Sequence, residues 1–219
     1  TTATQEHLIH FPKDKTHWLG NPVRADVLVG DRAHGYSEFS LRPGLPVLLV
    51  IGGGTGSVRI NQLVLESLPH LDGVAQIIHV SGRERTREEM HLAQTRFRDY
   101  HQYEFLAETL KHAYAAADLV VSRGGFGALT ELSALGKPTI IIPKPGHQEE
   151  NARFLAAHDA VVVVDERTTS GIHLAEEVKK MLRDKAAMSQ LGERLSRVLP
   201  RAKAVDIEEI INRLHDVKT

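Results

Sequence analysis

The chain has 219 residues, with 27 lysines and arginines against 28 aspartates and glutamates, which gives a formal net charge of -1 at pH 7. This balance lacks the basic excess typical of nucleic-acid-binding domains, so no nucleic-acid partner is expected. The chain has no cysteine, which excludes disulfides, thiolate zinc sites and cysteine nucleophiles.

Short apolar runs rich in Val and Ile alternate with amphipathic stretches along most of the chain. This alternation is typical of parallel strands buried under helices on both faces. The apolar runs predict six strands, at 46–51, 75–80, 101–105, 118–122, 139–143 and 160–164. The stretches between them predict helices at 58–70, 86–98, 107–116, 126–135 and 149–157. The predicted fold class is therefore α/β, with an open, doubly wound parallel sheet.

Both ends of the chain depart from this alternation. Helical patterns at 172–183, 185–197 and 205–215 follow the last strand and predict a helical C-terminal tail. Residues 1–45 contain turn signals and no good strand. We therefore predict a linker over 1–45, a sheet domain over 46–200 and a C-terminal helix over 201–219.

Neither a membrane span nor a secretion signal is evident in the sequence. The longest apolar runs fall far short of the roughly 18 residues that cross a bilayer. The N-terminus lacks the basic and apolar regions of a signal peptide, and no initiator methionine precedes it. We expect the chain to be a processed or excised piece of a cytoplasmic protein.

A glycine-rich loop, Gly52-Gly53-Gly54-Thr55-Gly56-Ser57, follows the first predicted strand and opens a helix. Glycines let the backbone approach a phosphate closely, and free N–H groups at a helix start favour an anion. The loop matches neither the dinucleotide fingerprint nor the P-loop, because Ser57 ends the glycine register and no GK[ST] follows. A phosphate-binding loop and a tight turn without a ligand both remain open.

A second loop of the same type, Ser122-Arg123-Gly124-Gly125-Phe126-Gly127, also follows a strand and opens a helix. Two such loops favour a diphosphate ligand, because the carboxyl ends of parallel strands lie along one edge of the sheet. Glu131 follows Gly127 by four residues, on the same helix face. Its carboxylate is able to accept hydrogen bonds from two ribose hydroxyls, although a solvated surface glutamate is the alternative.

A third polar loop runs from Pro143 to Asn151 into the next helix. His147 and Gln148 are candidates for contacts to sugar hydroxyls, and Asn151 for a role at the helix start. An ordinary polar turn is the alternative, with Glu149 and Glu150 favoured by the helix dipole.

Metal and nucleophile motifs are weak. His7 and His10 have the spacing of helical metal ligands, but no third ligand lies nearby in the sequence. No nucleophile elbow of the form G-x-S-x-G occurs. We therefore expect no metal and no cofactor, and no catalytic residue is assigned.

These motifs, taken in order, resemble the C-terminal half of the MurG family, the peptidoglycan N-acetylglucosaminyltransferases that use UDP-N-acetylglucosamine. The resemblance covers most of the chain. It includes Gly20-Asn21-Pro22-Val23-Arg24, which is similar to the family's GNPVR hinge, and the first glycine loop followed by Asn61. It also includes 116–125, 130–132, 136–138, and His147-Gln148 with Asn151-Ala152.

The resemblance implies the Rossmann-like, sugar-donor half of a GT-B glycosyltransferase, which is inverting and needs no metal. Arg24 and the loop at Gly53, Gly54 and Thr55 would face the diphosphate of UDP-N-acetylglucosamine. Ser122, Gly124 and Gly125 would contact the phosphate or the ribose, and Glu131 would contact the ribose hydroxyls. Gln148 would contact the sugar hydroxyls. The backbone near Phe105 and Leu106 would contact uracil. Asn61, His147 and Asn151 complete the implied site.

The sequence departs from the family pattern in two loops. Gly146 stands where the family usually has an Asp before His-Gln, so specificity for the sugar is less secure than nucleotide binding. The first loop reads GGGTGS where GGSQGA is more frequent, a change that leaves backbone contacts to phosphate intact.

The family's N-terminal half has no counterpart in these residues. That half holds the lipid-linked acceptor, a membrane-facing patch and the proposed base. The resemblance thus implies a partner domain, peripheral attachment to the cytoplasmic face of the membrane, and no activity for this chain alone. A non-catalytic nucleotide-sugar-binding subunit and a sugar-nucleotide epimerase or hydrolase domain remain alternatives.

Overall fold

The computed structural model describes residues 5–216 and contains a parallel sheet of six strands. The strands are β1 (Val47–Ile51), β2 (Gln76–Val80), β3 (Tyr100–Tyr103), β4 (Leu119–Ser122), β5 (Thr139–Ile141) and β6 (Val162–Val163). Their order across the sheet is β3-β2-β1-β4-β5-β6. The predicted α/β fold with a doubly wound parallel sheet is confirmed.

Nine α-helices are present in the described residues. Those before β5 are α1 (Arg32–Glu38), α2 (Val58–Leu71), α3 (Glu88–Arg96), α4 (Leu110–Ala116) and α5 (Phe126–Ala134). Those after β5 are α6 (His147–Ala157), α7 (Gly171–Arg183), α8 (Lys185–Val198) and α9 (Ala204–Asp216). The N-terminal segment also contains short 3-10 helices at Gln5–His10, Lys13–Lys15 and Ala25–Val29.

The central strand β1 is buried along its whole length. Its successive side chains point to opposite sides of the sheet, so they join two different cores. Leu48 and Val50 join a core with side chains of α2 and α7, whereas Leu49 and Ile51 join a second core with α4, α5 and α6. α7 and α8 of the predicted tail therefore cover the sheet: α7 packs on α2, and α8 packs on α5.

Several element boundaries differ from the predictions. β3 ends at Tyr103, two residues before the predicted end, so Phe105 lies in the loop that follows. β6 pairs over only two residues, although the predicted strand began at Ala160. Ala160 and Val161 are buried but lie outside the hydrogen-bonded strand. α6 begins at His147, which places Gln148 in the first helical turn instead of in the loop.

The segment predicted as a linker contains structure that the sequence analysis missed. α1 packs against α4, and Val27 and Phe39 are each 1% exposed in the second core. Arg32 fastens α1 by donating to the Ala116 carbonyl at 2.8 Å and to the Asp118 carboxylate at 2.9 Å. Residues 1–4 of the linker and 217–219 of the C-terminal helix lie outside the described residues.

The hinge-like motif pairs with the segment that leaves α8. The Asn21 amide donates to the Pro200 carbonyl, and the Ala202 amide donates to the Asn21 carbonyl, each at 2.8 Å. Gly20 adopts a φ of +81°, and a Cβ there would lie 2.6 Å from the Pro200 oxygen. Only glycine fits this close crossing.

No helix within residues 5–216 has the length and apolar character needed to span a membrane.

Candidate functional site

The strand order reverses between β1 and β4, the two neighbours at the centre of the sheet. In doubly wound sheets, ligands bind outside the carboxyl ends of the strands at such a reversal. The loop 52–57 follows β1, and the loop 123–125 follows β4. The sheet topology therefore puts both predicted glycine loops at the expected binding crevice.

The first glycine loop leaves its tip open. Gly53 has a φ of +88°, and a Cβ at Gly53 or Gly54 would meet no described atom within 4 Å. Ser57 caps α2, its hydroxyl accepting from the Ile60 amide at 3.2 Å. The free N–H groups at the start of α2 thus lie directly behind an accessible backbone turn, an arrangement suited to an anion.

The base of this loop packs against the loop after β2. Gly56 and Gly82 both have positive φ, and a Cβ at Gly82 would lie 2.3 Å from the Gly56 Cα. Two backbones approach this closely only when neither residue carries a side chain. The loop that begins at Ser81 therefore supports the first glycine loop through direct backbone contact.

Asn61 lies beneath this junction and is 2% exposed. Its amide nitrogen donates to the Ser81 carbonyl at 3.1 Å, and its oxygen lies 3.0 Å from His79 Nε2. His79 Nδ1 in turn lies 2.8 Å from the Tyr100 hydroxyl. These buried partners occupy both ends of the Asn61 amide, and a contact of Asn61 with a ligand stays a prediction.

Burial lowers the pKa of His79 to about 3 and raises the pKa of Tyr100. His79 is therefore neutral near pH 7. Because the Asn61 oxygen only accepts, His79 Nε2 must carry the proton and Nδ1 must accept from the tyrosine hydroxyl.

The second glycine loop leads into α5. Gly124 has a φ of +71°, and Gly125 is the N-cap of the helix. The Ser122 hydroxyl, at the end of β4, is buried and has no hydrogen-bond partner among the described residues. Asn151 of α6 donates to the Gly124 carbonyl at 3.2 Å, so Asn151 braces this loop.

Glu131 and Arg24 lie together beside the second loop. Arg24 Nε donates to one Glu131 oxygen at 2.9 Å, and the Tyr114 hydroxyl donates to the other at 2.9 Å. The hydrogen bond to Glu131 raises the pKa of Arg24, while burial and the Glu131 charge raise the pKa of Tyr114. Glu131 is an ordered carboxylate with a 14% exposed side chain, not a solvated surface residue.

The third loop contributes residues of different exposure. Gln148 accepts from the Lys144 amide at 3.0 Å, and its Nε2 lies 3.9 Å from the position of a Cβ on Gly125. The structure thus brings Gln148 to the second glycine loop. The His147 side chain is fully exposed and lies 3.8 Å from Glu150 within the same helix turn.

Phe105 and Leu106 follow β3 at the same edge of the sheet. The Phe105 ring is 45% exposed, whereas Leu106 is buried at 7%. The loop before them is fixed by backbone bonds, with the Gly82 amide donating to the Glu104 carbonyl at 3.0 Å.

Arg123 is a central residue for which the sequence predicted no role. One of its nitrogens pairs with Glu166 and donates to the Ile142 carbonyl, and another donates to the Ser57 hydroxyl. Its side chain is 11% exposed and that of Glu166 is 16% exposed. Arg123 was recognisable in the sequence as a charged residue inside a glycine loop at a strand end. No sequence feature marked Glu166 as its partner.

This ion pair joins three segments of the edge. Ser57 belongs to the first glycine loop, Arg123 to the second, and Glu166 to the segment after β6. Arg59 of α2 adds bonds to the carbonyls of Glu166 and Thr169, at 3.0 and 2.6 Å. The two glycine loops are therefore held in fixed relation to each other.

Among the described residues, no group of three histidine, aspartate or glutamate side chains is arranged to hold a metal ion.

Comparison with known families gives one domain match. Residues 47–206 match the model of the glycosyltransferase family 28 C-terminal domain. The match begins at β1 and includes both glycine loops, Glu131 and α6.

Two curated relatives are UDP-N-acetylglucosamine--N-acetylmuramyl-(pentapeptide) pyrophosphoryl-undecaprenol N-acetylglucosamine transferases. The protein from Shouchella clausii is 36% identical over 82% of this chain and 51% of its own length. The protein from Desulforamulus reducens is 32% identical over 97% of this chain and 61% of its own length. The chain thus spans about half to three fifths of the length of these relatives.

Solved structures show the same fold. The Acinetobacter baumannii MurG structure superposes with a TM-score of 0.63 at 22% identity, over 81% of this chain and 52% of that one. A calicheamicin glycosyltransferase gives 0.69 at 15% identity, over 96% of this chain and 51% of that one. The fold is therefore that of one half of these glycosyltransferases.

Proposed function

The chain belongs to the glycosyltransferase family 28 C-terminal domain family, and on that premise we propose that it binds the sugar donor of an N-acetylglucosaminyltransferase. The proposed donor is UDP-N-acetylglucosamine, and the proposed pathway is the synthesis of peptidoglycan lipid intermediates. The observation that carries the proposal is the pair of glycine loops at the β1/β4 reversal, each at the start of a helix. The names of the curated relatives support the choice of sugar nucleotide.

In the proposed reaction, an acceptor hydroxyl attacks the anomeric carbon of the sugar, the bond to the diphosphate breaks, and the configuration inverts. UDP leaves with a developing negative charge. The N-terminal N–H groups of α2 and α5 would stabilise that charge without a metal, because they are oriented before the reaction begins. In this proposal the residues of the chain hold the leaving group and do not act as the base.

Glu131 would bind the ribose through the acceptor sites that its protein partners leave free. A carboxylate has about four lone-pair sites, and Arg24 and Tyr114 use two of them. Arg24 would serve both as the orienting partner of Glu131 and as a cation near the diphosphate. Gly53, Gly54, Thr55, Ser122, Gly124 and Gly125 stay predicted phosphate or ribose contacts, and Phe105 with Leu106 stays the predicted uracil segment.

The acceptor would be lipid-linked, as in the names of the relatives. We propose that the acceptor and the base are held by a second domain that these 219 residues do not supply, at the cytoplasmic face of a membrane. The division into a linker over 1–45, a sheet domain over 46–200 and a C-terminal helix stays part of this proposal.

Calorimetry with UDP, UDP-N-acetylglucosamine and NAD tests the binding proposal. UDP and UDP-N-acetylglucosamine should bind, and NAD should not, because the first loop lacks the dinucleotide register. Tight binding of NAD without a response to UDP would overturn the proposal.

A turnover assay tests the division of labour. The purified chain should release no UDP from UDP-N-acetylglucosamine in the presence of a lipid-linked muramyl acceptor, since a base must lie within hydrogen-bond reach of the acceptor hydroxyl. Turnover comparable with that of a complete transferase would show that the chain supplies its own base.

A further inference from the structure

The loop after β2 projects an arginine beside the proposed diphosphate loop. In this loop Gly82 packs on Gly56, and Arg83 is the next residue. The Arg83 guanidinium carbon lies 4.5 Å from the centre of the Phe105 ring. The Arg83 backbone therefore adjoins the segment proposed to hold the diphosphate, and its guanidinium lies on the segment proposed to read uracil.

Arg83 has no carboxylate partner at this position. Within the part of the chain that the structure describes, no ion pair joins it to an aspartate or glutamate, and its recorded contact is the exposed face of Phe105. Two other arginines near the proposed site do have a carboxylate partner, since Arg123 and Arg24 each pair with a glutamate. A cation that rests on an exposed aromatic face is held only weakly, so an anion competes for it easily.

The loop that carries Arg83 is rigidly built at its base. Gln102 donates to the hydroxyls of Ser81 and Thr86, each at 2.9 Å, and these two hydroxyls lie 3.0 Å apart. Asn61 adds bonds to the carbonyls of Ser81 and Arg85. These side chains hold both ends of the loop from the inside.

The backbone of the loop is strained. Glu84 adopts a φ of +58°, a left-handed conformation that is uncommon for a residue other than glycine. Such a conformation persists where surrounding bonds enforce it. The buried and part-buried hydrogen bonds of Ser81, Arg85 and Thr86 provide that enforcement.

From this placement we propose that Arg83 is a further residue of the sugar-donor site, and that its guanidinium pairs with the diphosphate of the bound nucleotide. The inference rests on the proposed function, because the anion it names is the diphosphate of that same donor. In this structure Arg83 rests on Phe105. When the nucleotide binds, the guanidinium moves to the phosphate oxygens, where a planar fork forms two charge-assisted bonds.

The test compares Arg83→Gln with Arg87→Gln, a matched loss of one exposed arginine at the N-cap of α3. Calorimetry is run with UDP, UMP and uridine. Arg83→Gln should weaken UDP by roughly 10-fold to 100-fold and leave uridine unchanged, since a hydrogen bond to a charged group is lost. Arg87→Gln should leave UDP within about 2-fold of wild type, and Arg83→Lys should fall between wild type and Arg83→Gln.

Each outcome separates this inference from the proposed function. UDP binding by the wild type with an unaffected Arg83→Gln variant would overturn the inference alone. An equal loss for UDP and uridine would also overturn it, because the residue would then act on the base or on the fold. Absence of UDP binding by the wild type would overturn both, and an unchanged melting temperature of Arg83→Gln would show that the variant is folded.

Discussion

The two sides of the proposed site are held in different ways. On the β2 side, the first glycine loop rests on a buried chain of hydrogen bonds through Asn61, His79 and Tyr100. On the α6 side, the loop at 143–148 is held by bonds near the surface, such as Lys144 N to Gln148 and Gly146 N to Glu149. The first side would contact the nucleotide, and the second side would contact the sugar.

The difference indicates which contacts are fixed before the ligand arrives. Buried polar networks with all partners satisfied hold one geometry, whereas exposed hydrogen bonds exchange readily with water. The side proposed to contact the nucleotide is therefore preorganised, and the side proposed to contact the sugar is adaptable. The sequence also departs from the resembled family on the α6 side, where Gly146 stands in place of the usual Asp.

The largest expected effect is on stability, and it compares the nearly buried ion pair that joins the two glycine loops with an exposed ion pair on the α6 side. Glu166→Ala should destabilise the fold by about 3–5 kcal/mol, because it leaves the nearly buried Arg123 without its counter-charge. Glu149→Ala should cost no more than about 1 kcal/mol, because its partner Arg167 is 62% exposed. Urea unfolding measures both, and equal losses would break the contrast between buried and exposed contacts.

Glu131→Ala should weaken UDP by about 1–3 kcal/mol through the loss of hydrogen bonds to the ribose. Calorimetry measures the change, and circular dichroism checks that the variant is folded. Tyr114→Phe is the control, since it removes one partner of Glu131 and keeps the carboxylate. UDP affinity that is unchanged in Glu131→Ala would remove Glu131 from the site.

The buried His79 makes the stability of the fold sensitive to acid. The pKa of His79 is about 3 in the folded chain against 6.5 unfolded, so only the unfolded chain takes up this proton as the pH falls from 6.5 towards 3. Its contribution to stability is therefore complete above pH 6.5 and is lost through that window, by roughly 2 kcal/mol between pH 7 and pH 5.

His79→Gln removes this titration. Urea unfolding at pH 7 and pH 5 should show a pH-dependent loss that is smaller in the variant than in wild type by about that amount. His147→Gln, at a fully exposed position, should retain the wild-type pH dependence. A variant at position 79 with the wild-type pH dependence would show that His79 does not control the acid sensitivity.

The smallest expected effect concerns the sugar side. Gln148→Ala should weaken UDP-N-acetylglucosamine by about 1 kcal/mol and leave UDP unchanged, if the side chain bonds a sugar hydroxyl. Glu150→Ala, at an exposed position of the same helical turn, should leave both ligands within about 0.5 kcal/mol. An equal loss for UDP in Gln148→Ala would place this residue on the nucleotide side.

Periodicity and glycine spacing were sufficient to predict the sheet and the two loops at its centre. The strands are buried on both faces, so β1 and β4 appear in the sequence as continuous apolar runs. α1 was missed because its seven residues, RAHGYSE, contain a glycine and show no apolar periodicity. Its position depends on Arg32 and on packing against α4, which are long-range contacts.

The supporting residues of the site were harder to predict for the same reason. Glu166 pairs with Arg123 across 43 positions of sequence, and Tyr114 reaches Glu131 from another helix. The structure shows that Asn61, which stays a predicted ligand contact, also supports the first loop through His79 and Ser81. Sequence spacing identifies the loops that approach a ligand, but only the folded chain shows which side chains hold those loops.

The pairing of Asn21 with the 200–202 segment has a mechanical consequence. The two strands of this pair run parallel, so the chain leaves Asn21 towards its N-terminal side and leaves Ala202 in the opposite direction. Tension applied to the flanking segments would load both backbone bonds together in shear, instead of opening them one after the other. Force arriving along the chain from either flank would then meet these two backbone bonds before it reached the glycine loops.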